Sequence, residues 1–170
     1  MYLFIVATMF IPGQITMIPI YVLFSKIGLV NNFLSVILVY LANGLPGAIM
    51  LITANFRAIP GEMLESSRMD GAGYFKVIWY IVVPMGKAAI AINVVMSFIG
   101  YWNDLFTPTI LLQNEDVKTV MVALASLMGR YVGDPPYQMA GIMLAMVPAI
   151  LVYVVFQRFI VKGLVVGAIK

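Results

Sequence analysis

Residues 65–84 read ESSRMDGAGYFKVIWYIVVP. Glu65, Arg68, Asp70 and Lys76 stand close together there, with Gly71 and Gly73 between them. Apolar blocks flank the stretch on both sides. A polar, turn-rich interruption between such blocks reads as a loop leaving a bilayer, so the blocks themselves need testing as spans.

Composition supports that test. Of the 170 residues, 63% are hydrophobic and only 10% are charged. A water-soluble domain is about half apolar and about a quarter charged. There is no Cys, which excludes disulfides, thiolate nucleophiles and Cys-ligated metals. There is no His, the commonest general base and transition-metal ligand. The net charge of +3 comes without a basic stripe of the kind that binds nucleic acid.

Four apolar blocks emerge, at about 2–24, 33–56, 88–112 and 139–161. The first is interrupted by Pro12, Gly13 and Pro19 and is expected to be two short helices at an angle, because an interior Pro removes a hydrogen bond and kinks the axis. Its opening run ends after about 11 residues where a span needs about 20. The expectation is therefore a chain that starts mid-fold, without an N-terminal portion. Backbone groups in lipid must pair within the segment, so the blocks are expected to be helices. The fold class is an all-α, polytopic membrane helical bundle, a single transmembrane domain over residues 1–170. Pro46 with Gly44 and Gly47 reads either as a hinge or as a small-residue packing face.

Charge sets the orientation, since Lys and Arg collect in cytoplasmic loops. The loop 57–87 carries Arg57, Arg68, Lys76 and Lys87, and the C-terminal tail carries Arg158, Lys162 and Lys170. The other face holds Lys26, Lys118 and Arg130. Loop 57–87 and the C-terminus are thus expected in the cytoplasm and 113–138 outside. An apolar stretch, Val120 to Met128, is too short to span and is expected to lie at the outer surface or against neighbouring helices.

Local rules shape the polar loop into a helix–turn–helix. Pro60 suits a helix start and Glu62 favours its dipole. Gly71 and Gly73 are expected to end the helix in the left-handed conformation. Glu65 and Arg68 stand at i and i+3, within reach of each other. A second helical piece is expected from Tyr74 to Val82. The competing reading is a solvated connector with one surface ion pair.

These residues resemble the EAA loop of ABC importer permeases. Glu65, Asp70, Gly71, Ala72 and Pro84 fall in register with that pattern; Ser66 and Ser67 replace its two Ala, and Val83 replaces Leu. Ser keeps the small size that close docking requires. IPIYVLFSKIGLVNN (18–32), YWNDLFTPTILL (101–112) and FQRFIVKGLVVGAIK (156–170) are similar to the carbohydrate branch, the permeases like the smaller one of the maltose system. The resemblance covers essentially the whole chain and implies the last four of six spans.

It also implies a role for the loop. Glu65, Ser66, Ser67, Arg68, Asp70, Gly71 and Ala72 would dock on a cytoplasmic ABC ATPase dimer, Glu65 pairing with a basic group there and Asp70 fixing the turn. The other implied partners are a second permease subunit, an extracytoplasmic sugar-binding protein and the lipid bilayer, in a bacterial or archaeal inner membrane. No cofactor is expected on this chain, with ATP and Mg on the ATPase. Phosphate cradling needs G-x-x-x-x-G-K-[ST]. At Gly86-Lys87 the chain has Ile81 for the first Gly and Ala88 for the hydroxyl residue.

Polar groups within spans are costly and mark cavities or partners. Asn93 lies in the third block, followed by Tyr101, Trp102, Asn103 and Asp104. Rings, amides and a carboxylate suit a carbohydrate; an interfacial aromatic belt with a helix-ending Asn-Asp suits them too. The functional alternative to an importer subunit is a truncated, non-transporting permease that serves only as an assembly partner. An intramembrane enzyme finds no catalytic group.

Overall fold

The computed structural model describes residues 2–130 and 134–168, with side chains through residue 157. All regular structure in the described residues is helical. Helix α1 covers Tyr2–Ala7 and continues as a 3₁₀ turn at Thr8–Phe10. Helix α2, Gly13–Lys26, leaves it at 96°. The break falls at Pro12-Gly13, where the sequence places it. Pro19 lies inside α2 without ending it.

Helix α2 closes with a Schellman turn. Gly28 has φ +72, its N–H reaches Ser25 O at 3.3 Å, and Leu29 N–H reaches Phe24 O at 2.8 Å. The next turn depends on Asn31, a non-glycine residue at φ 62. Its Oδ1 accepts from the backbone N–H groups of Gln113 at 2.6 Å and Asn114 at 2.9 Å, and its own N–H donates to Leu111 O at 2.8 Å. Asn tolerates the left-handed region better than most residues. One side chain thus ties two loops more than eighty positions apart. Asn32 then caps α3 by accepting from Leu34 N–H at 2.9 Å.

Helix α3 runs unbroken over Phe33–Phe56 with Pro46 inside it. Its 24 residues reach about 36 Å, enough to cross a hydrocarbon core of about 30 Å. The Gly44 position is a packing face. Tyr101 from the facing helix lays its ring on Tyr40, centroids 4.3 Å apart, and donates to the Tyr40 carbonyl at 2.9 Å. A Cβ at Gly44 would fall inside the Tyr101 hydroxyl.

The polar loop folds as helix α4, Gly61–Met69, and helix α5, Tyr74–Val77. A π turn at Ile78–Val82 and helix α6, Val83–Met85, extend the second piece to Met85. Pro84 lies in the last turn of this piece, where it removes one helical donor shortly before the break at Gly86. Helix α7, Lys87–Trp102, follows at 71°. Gly86 sits at that bend under the ring of Phe56, and a Cβ on it would stand 3.2 Å from Val82 O.

The third block differs most from its sequence boundaries. It does not run as one helix to Leu112: α7 ends at Trp102, and a separate helix α8 covers Phe106–Leu111. The reason is Asp104, which caps α8, and Pro108, which fits a first turn but not a helix interior. Helix α8 is driven between α2 and α3, where Leu111 and Leu112 pack with Met17, Phe24, Val36 and Val39. Helix α9, Val120–Arg130, lies against α10, and Leu124 and Leu127 face Gly141 closely. Helix α10, Pro135–Ala168, begins before Met139 and packs chiefly on α7. By length and composition α3 and α10 can each cross a membrane, and the two bent pairs can each form a broken span. Lys170, and the side chains of Arg158 and Lys162, lie outside the described residues.

The Gly44–Tyr101 contact yields a stability prediction. Gly44→Ala should cost about 1–3 kcal/mol by overpacking, measured as thermal unfolding in detergent. In a Tyr101→Phe background the cost should shrink, because the obstructing hydroxyl is gone. Equal costs in both backgrounds would show that the contact does not hold α3 on α7.

Candidate functional site

Two regions carry candidate function, and the first is the α4 loop. Its turn is a second Schellman motif: Gly71 has φ +76, Gly71 N–H bonds Arg68 O and Ala72 N–H bonds Ser67 O, both at 3.0 Å. Gly73 differs from its expected conformation. It is extended, φ −68 and ψ 161, and starts α5 instead of helping to end α4. Asp70 is the C-terminal cap residue of α4. Glu65 and Arg68 are both exposed and do not pair; among the described residues the ion pairs lie at Glu115, with Lys118 at 2.8 Å and Arg130 at 3.3 Å. The Lys118 hydrogen bond, then its charge, holds the Glu115 carboxyl below the ordinary carboxylate range.

The two serines turn their hydroxyls inward. Ser66 donates to Glu62 O and Ser67 donates to Leu64 O at 2.8 Å. Ser67 is buried and Ser66 exposed, so the small-residue pair straddles the helix. Beneath α4 lies an apolar cavity of about 430 Å³, bounded by Phe56, Ile59 and Leu64 with Val77, Ile78 and Val82. Ala72 and the Arg68 stem close its edge. Met69, Tyr74 and Phe75 stand well out of the fold, each at least 75% exposed. The loop therefore offers an exposed helix on a rigid turn, with little holding it to the spans.

The second region centres on Asp104. Its Oδ1 accepts from Phe106 N–H at 2.9 Å and Thr107 N–H at 3.5 Å, which caps α8. Its Oδ2 accepts from the Tyr40 hydroxyl at 3.0 Å, which ties the cap to α3. Asp104 also faces a cavity of about 540 Å³ at the break between α1 and α2. Thr8, Gln14, Thr16, Asn43 and Thr107 line the same space.

The structure does not gather the expected cluster on one surface. Tyr101 packs on Tyr40. Trp102 stacks on Phe98 and donates from Nε1 to Ala145 O at 3.1 Å. That carbonyl is next to Leu144, whose own helical donor Pro148 cannot supply. Asn103 folds back onto Ile99 O at 2.8 Å. Asn93 is half-buried on α7. Of the five, only Asp104 borders the cavity at the helix break.

Comparison with known proteins gives these regions a context. The family described as binding-protein-dependent transport system inner membrane component matches residues 1–166. The chain belongs to that family. A probable ABC transporter permease protein of Pyrococcus horikoshii is 31% identical over 95% of the chain and 58% of its own length. An osmoprotective compounds uptake permease protein of Synechocystis is 32% identical over 100% and 57%. The melibiose/raffinose/stachyose import permease protein of Bacillus subtilis is 30% identical over 98% and 60%. The chain thus spans less than two thirds of the length of these relatives. The family is an inner-membrane one, in keeping with the apolar helices.

Sequence reading missed Gln14, Thr16 and Asn43 as neighbours of Asp104. The signal was present: an amide in the middle of an apolar block is itself a marker. The angled break was expected; what was lacking was that its 96° turn brings α2's first turn against the middle of α3.

Removing Asp104 tests the network. Asp104→Ala should lower stability by about 2 kcal/mol or more through the lost cap and the lost charged acceptor. Asp104→Asn keeps one carbonyl oxygen and should fall between. Unfolding midpoints for Ala and wild type that coincide would remove Asp104 from this role.

Proposed function

We propose that the chain is a permease subunit of an ATP-driven carbohydrate importer, converting motion of an ATPase into opening and closing of the spans. The observation that carries this reading is the α4 loop: an exposed helix stopped by a Schellman turn at Gly71, which can be seated on a partner without unfolding anything else. Family membership supports it, as do relatives named for sugar transport, including the arabinooligosaccharides and lactose transport permease proteins.

In this reading Glu65 meets a basic group on the ATPase. Ser66 and Ser67, with their protons bonded within α4, let the helix approach closely. Asp70, Gly71 and Ala72 hold the turn, and Arg68 covers the apolar cavity behind. ATP and magnesium belong to the ATPase dimer, which binds ATP better in one state and so shifts the populations of both. A second permease subunit completes the bundle and an extracytoplasmic binding protein delivers the sugar. The loop 57–87 and the C-terminus then face the cytoplasm, and α9 faces outward. The membrane is the inner membrane of a bacterium or archaeon.

Gly71→Val should test the docking role. A side chain at φ +76 costs about 1–2 kcal/mol in that turn, and α4 should lose its fixed pose. Glu65→Lys should act without disturbing the turn. Both should lower recovery of the ATPase with detergent-solubilised permease while the spans stay inserted. Undiminished recovery with both variants would sink the proposal.

A further inference from the structure

We infer that the apolar cavity beneath α4 binds an anionic phospholipid of the cytoplasmic leaflet, with an acyl chain among Phe56, Leu64, Ile78 and Val82 and the phosphate on Arg68. This rests on the cytoplasmic placement of loop 57–87 proposed above, and it adds a lipid to what that loop holds.

Helix α4 has two faces, and the cavity takes the one that docking leaves free. Glu62, Glu65, Ser66 and Met69 are exposed and fall on one side by helical spacing. Leu64 and Arg68, at i and i+4, share the other side and border the cavity. Phe56 and Ile59, at and just past the end of α3, form a second wall. The third wall is the π turn, where Val83 N–H bonds Ile78 O and both Ile78 and Val82 line the space. Such wide turns are rare and occur frequently at functional sites.

Depth and charge identify the occupant. Helix α3 is long enough to cross the hydrocarbon core, and Arg57 follows its last residue, so the cavity at its end lies at headgroup level. Beside the cavity, Tyr74, Phe75, Trp79 and Tyr80 are between 65% and 81% exposed, with Lys76 exposed among them. Aromatic rings gather where a bilayer meets water, and a Lys there reaches for the headgroups. Apolar walls around about 430 Å³ forfeit dispersion contacts unless an apolar chain fills the space. Arg68 is the charged residue of the lining, and among the described residues it has no ion-pair partner. A guanidinium takes a phosphate through paired N–H donors, and the Tyr74 hydroxyl on the same rim can donate to the same group. An apolar hollow with a cation and a hydroxyl at its rim matches a hydrocarbon chain with an anionic head. Bound there, the lipid ties α4 to the end of α3.

The test uses the full transporter, co-expressed and reconstituted in phosphatidylcholine nanodiscs with a trace of phosphatidylglycerol carrying a mid-chain diazirine. Ultraviolet activation should place adducts within residues 56–82, mapped by peptide mass spectrometry. Unlabelled phosphatidylglycerol should compete them away, and added phosphatidylcholine should not. Arg68→Ala should lower the adduct yield about fivefold, the worth of one cation near an anionic lipid surface, and Arg68→Lys should recover part of it. Val82→Phe, which fills the hollow and leaves Arg68 in place, should lower the yield as well. Met143→Ala, on the exposed side of α10, should leave it unchanged. Equal competition by both lipids, or a yield unmoved by Arg68→Ala and Val82→Phe, overturns the lipid site. So do adducts that form only once the ATPase has been stripped away, since a protein segment then covers the cavity. ATPase recovery from the same discs keeps the two readings apart: recovery without adducts rejects the lipid alone, and adducts without recovery support the lipid and reject the docking role.

Discussion

Asp104 holds three parts of the fold at once. One carboxylate oxygen takes the first free N–H groups of α8, and the other takes the Tyr40 hydroxyl from α3. Because it caps α8, the chain can stop α7 at Trp102 and start again at Phe106 without leaving orphan amides in an apolar setting. Because α8 exists, Leu111 and Leu112 reach the space between α2 and α3. Asn31 then fastens the far end of α8 by taking the N–H groups of Gln113 and Asn114. The wedge is pinned at both ends by side-chain oxygens, and α2 is held on α3 through it.

The same economy of backbone groups distinguishes the breaks from one another. At Gly28 and Gly71 the helix ends close on themselves with two hydrogen bonds each. At Asn103–Leu105 side chains complete the pairing. At Pro12-Gly13 neither solution is used: the 3₁₀ turn ends with Ile11 bonded to Thr8 O, and α2 begins with no side-chain cap. Polar side chains from three elements, Thr8, Gln14 with Thr16, and Asn43, line the space beside this break.

Much of this was legible in the residues. The apolar blocks, the break at Pro12-Gly13 and the left-handed Gly71 follow from composition and from what Pro and Gly permit. The end of α7 was also written, in Asp104 followed by Pro108, but an apolar count over 88–112 runs straight through that signal. Tyr101 and Trp102 were left open between sugar and interface for another reason. An aromatic pair at a helix end looks the same whether it meets sugar, interface or a neighbouring helix, and only the Gly44 notch and the Ala145 carbonyl decide for packing. Glu65 and Arg68 had suitable spacing for a pair, yet exposed partners at i and i+3 gain only about 0.2–0.5 kcal/mol, too little to fix two long side chains.

Helix α3 joins the two candidate regions. Its middle forms one wall of the cavity through Asn43 and Pro46, and its end sets Phe56 over Gly86. Phe56 also bounds the hollow beneath α4. Gly86 is the point where α6 turns by 71° into α7. A larger residue there would strike both the ring and the Val82 carbonyl, so bend and helix are interlocked without slack. Tyr101 repeats the arrangement higher up, its hydroxyl against Gly44. Two close contacts at different heights resist both sliding and rotation of α7 on α3. A displacement of α3 would therefore carry α7 with it, because packed interfaces shift between discrete arrangements and do not deform continuously.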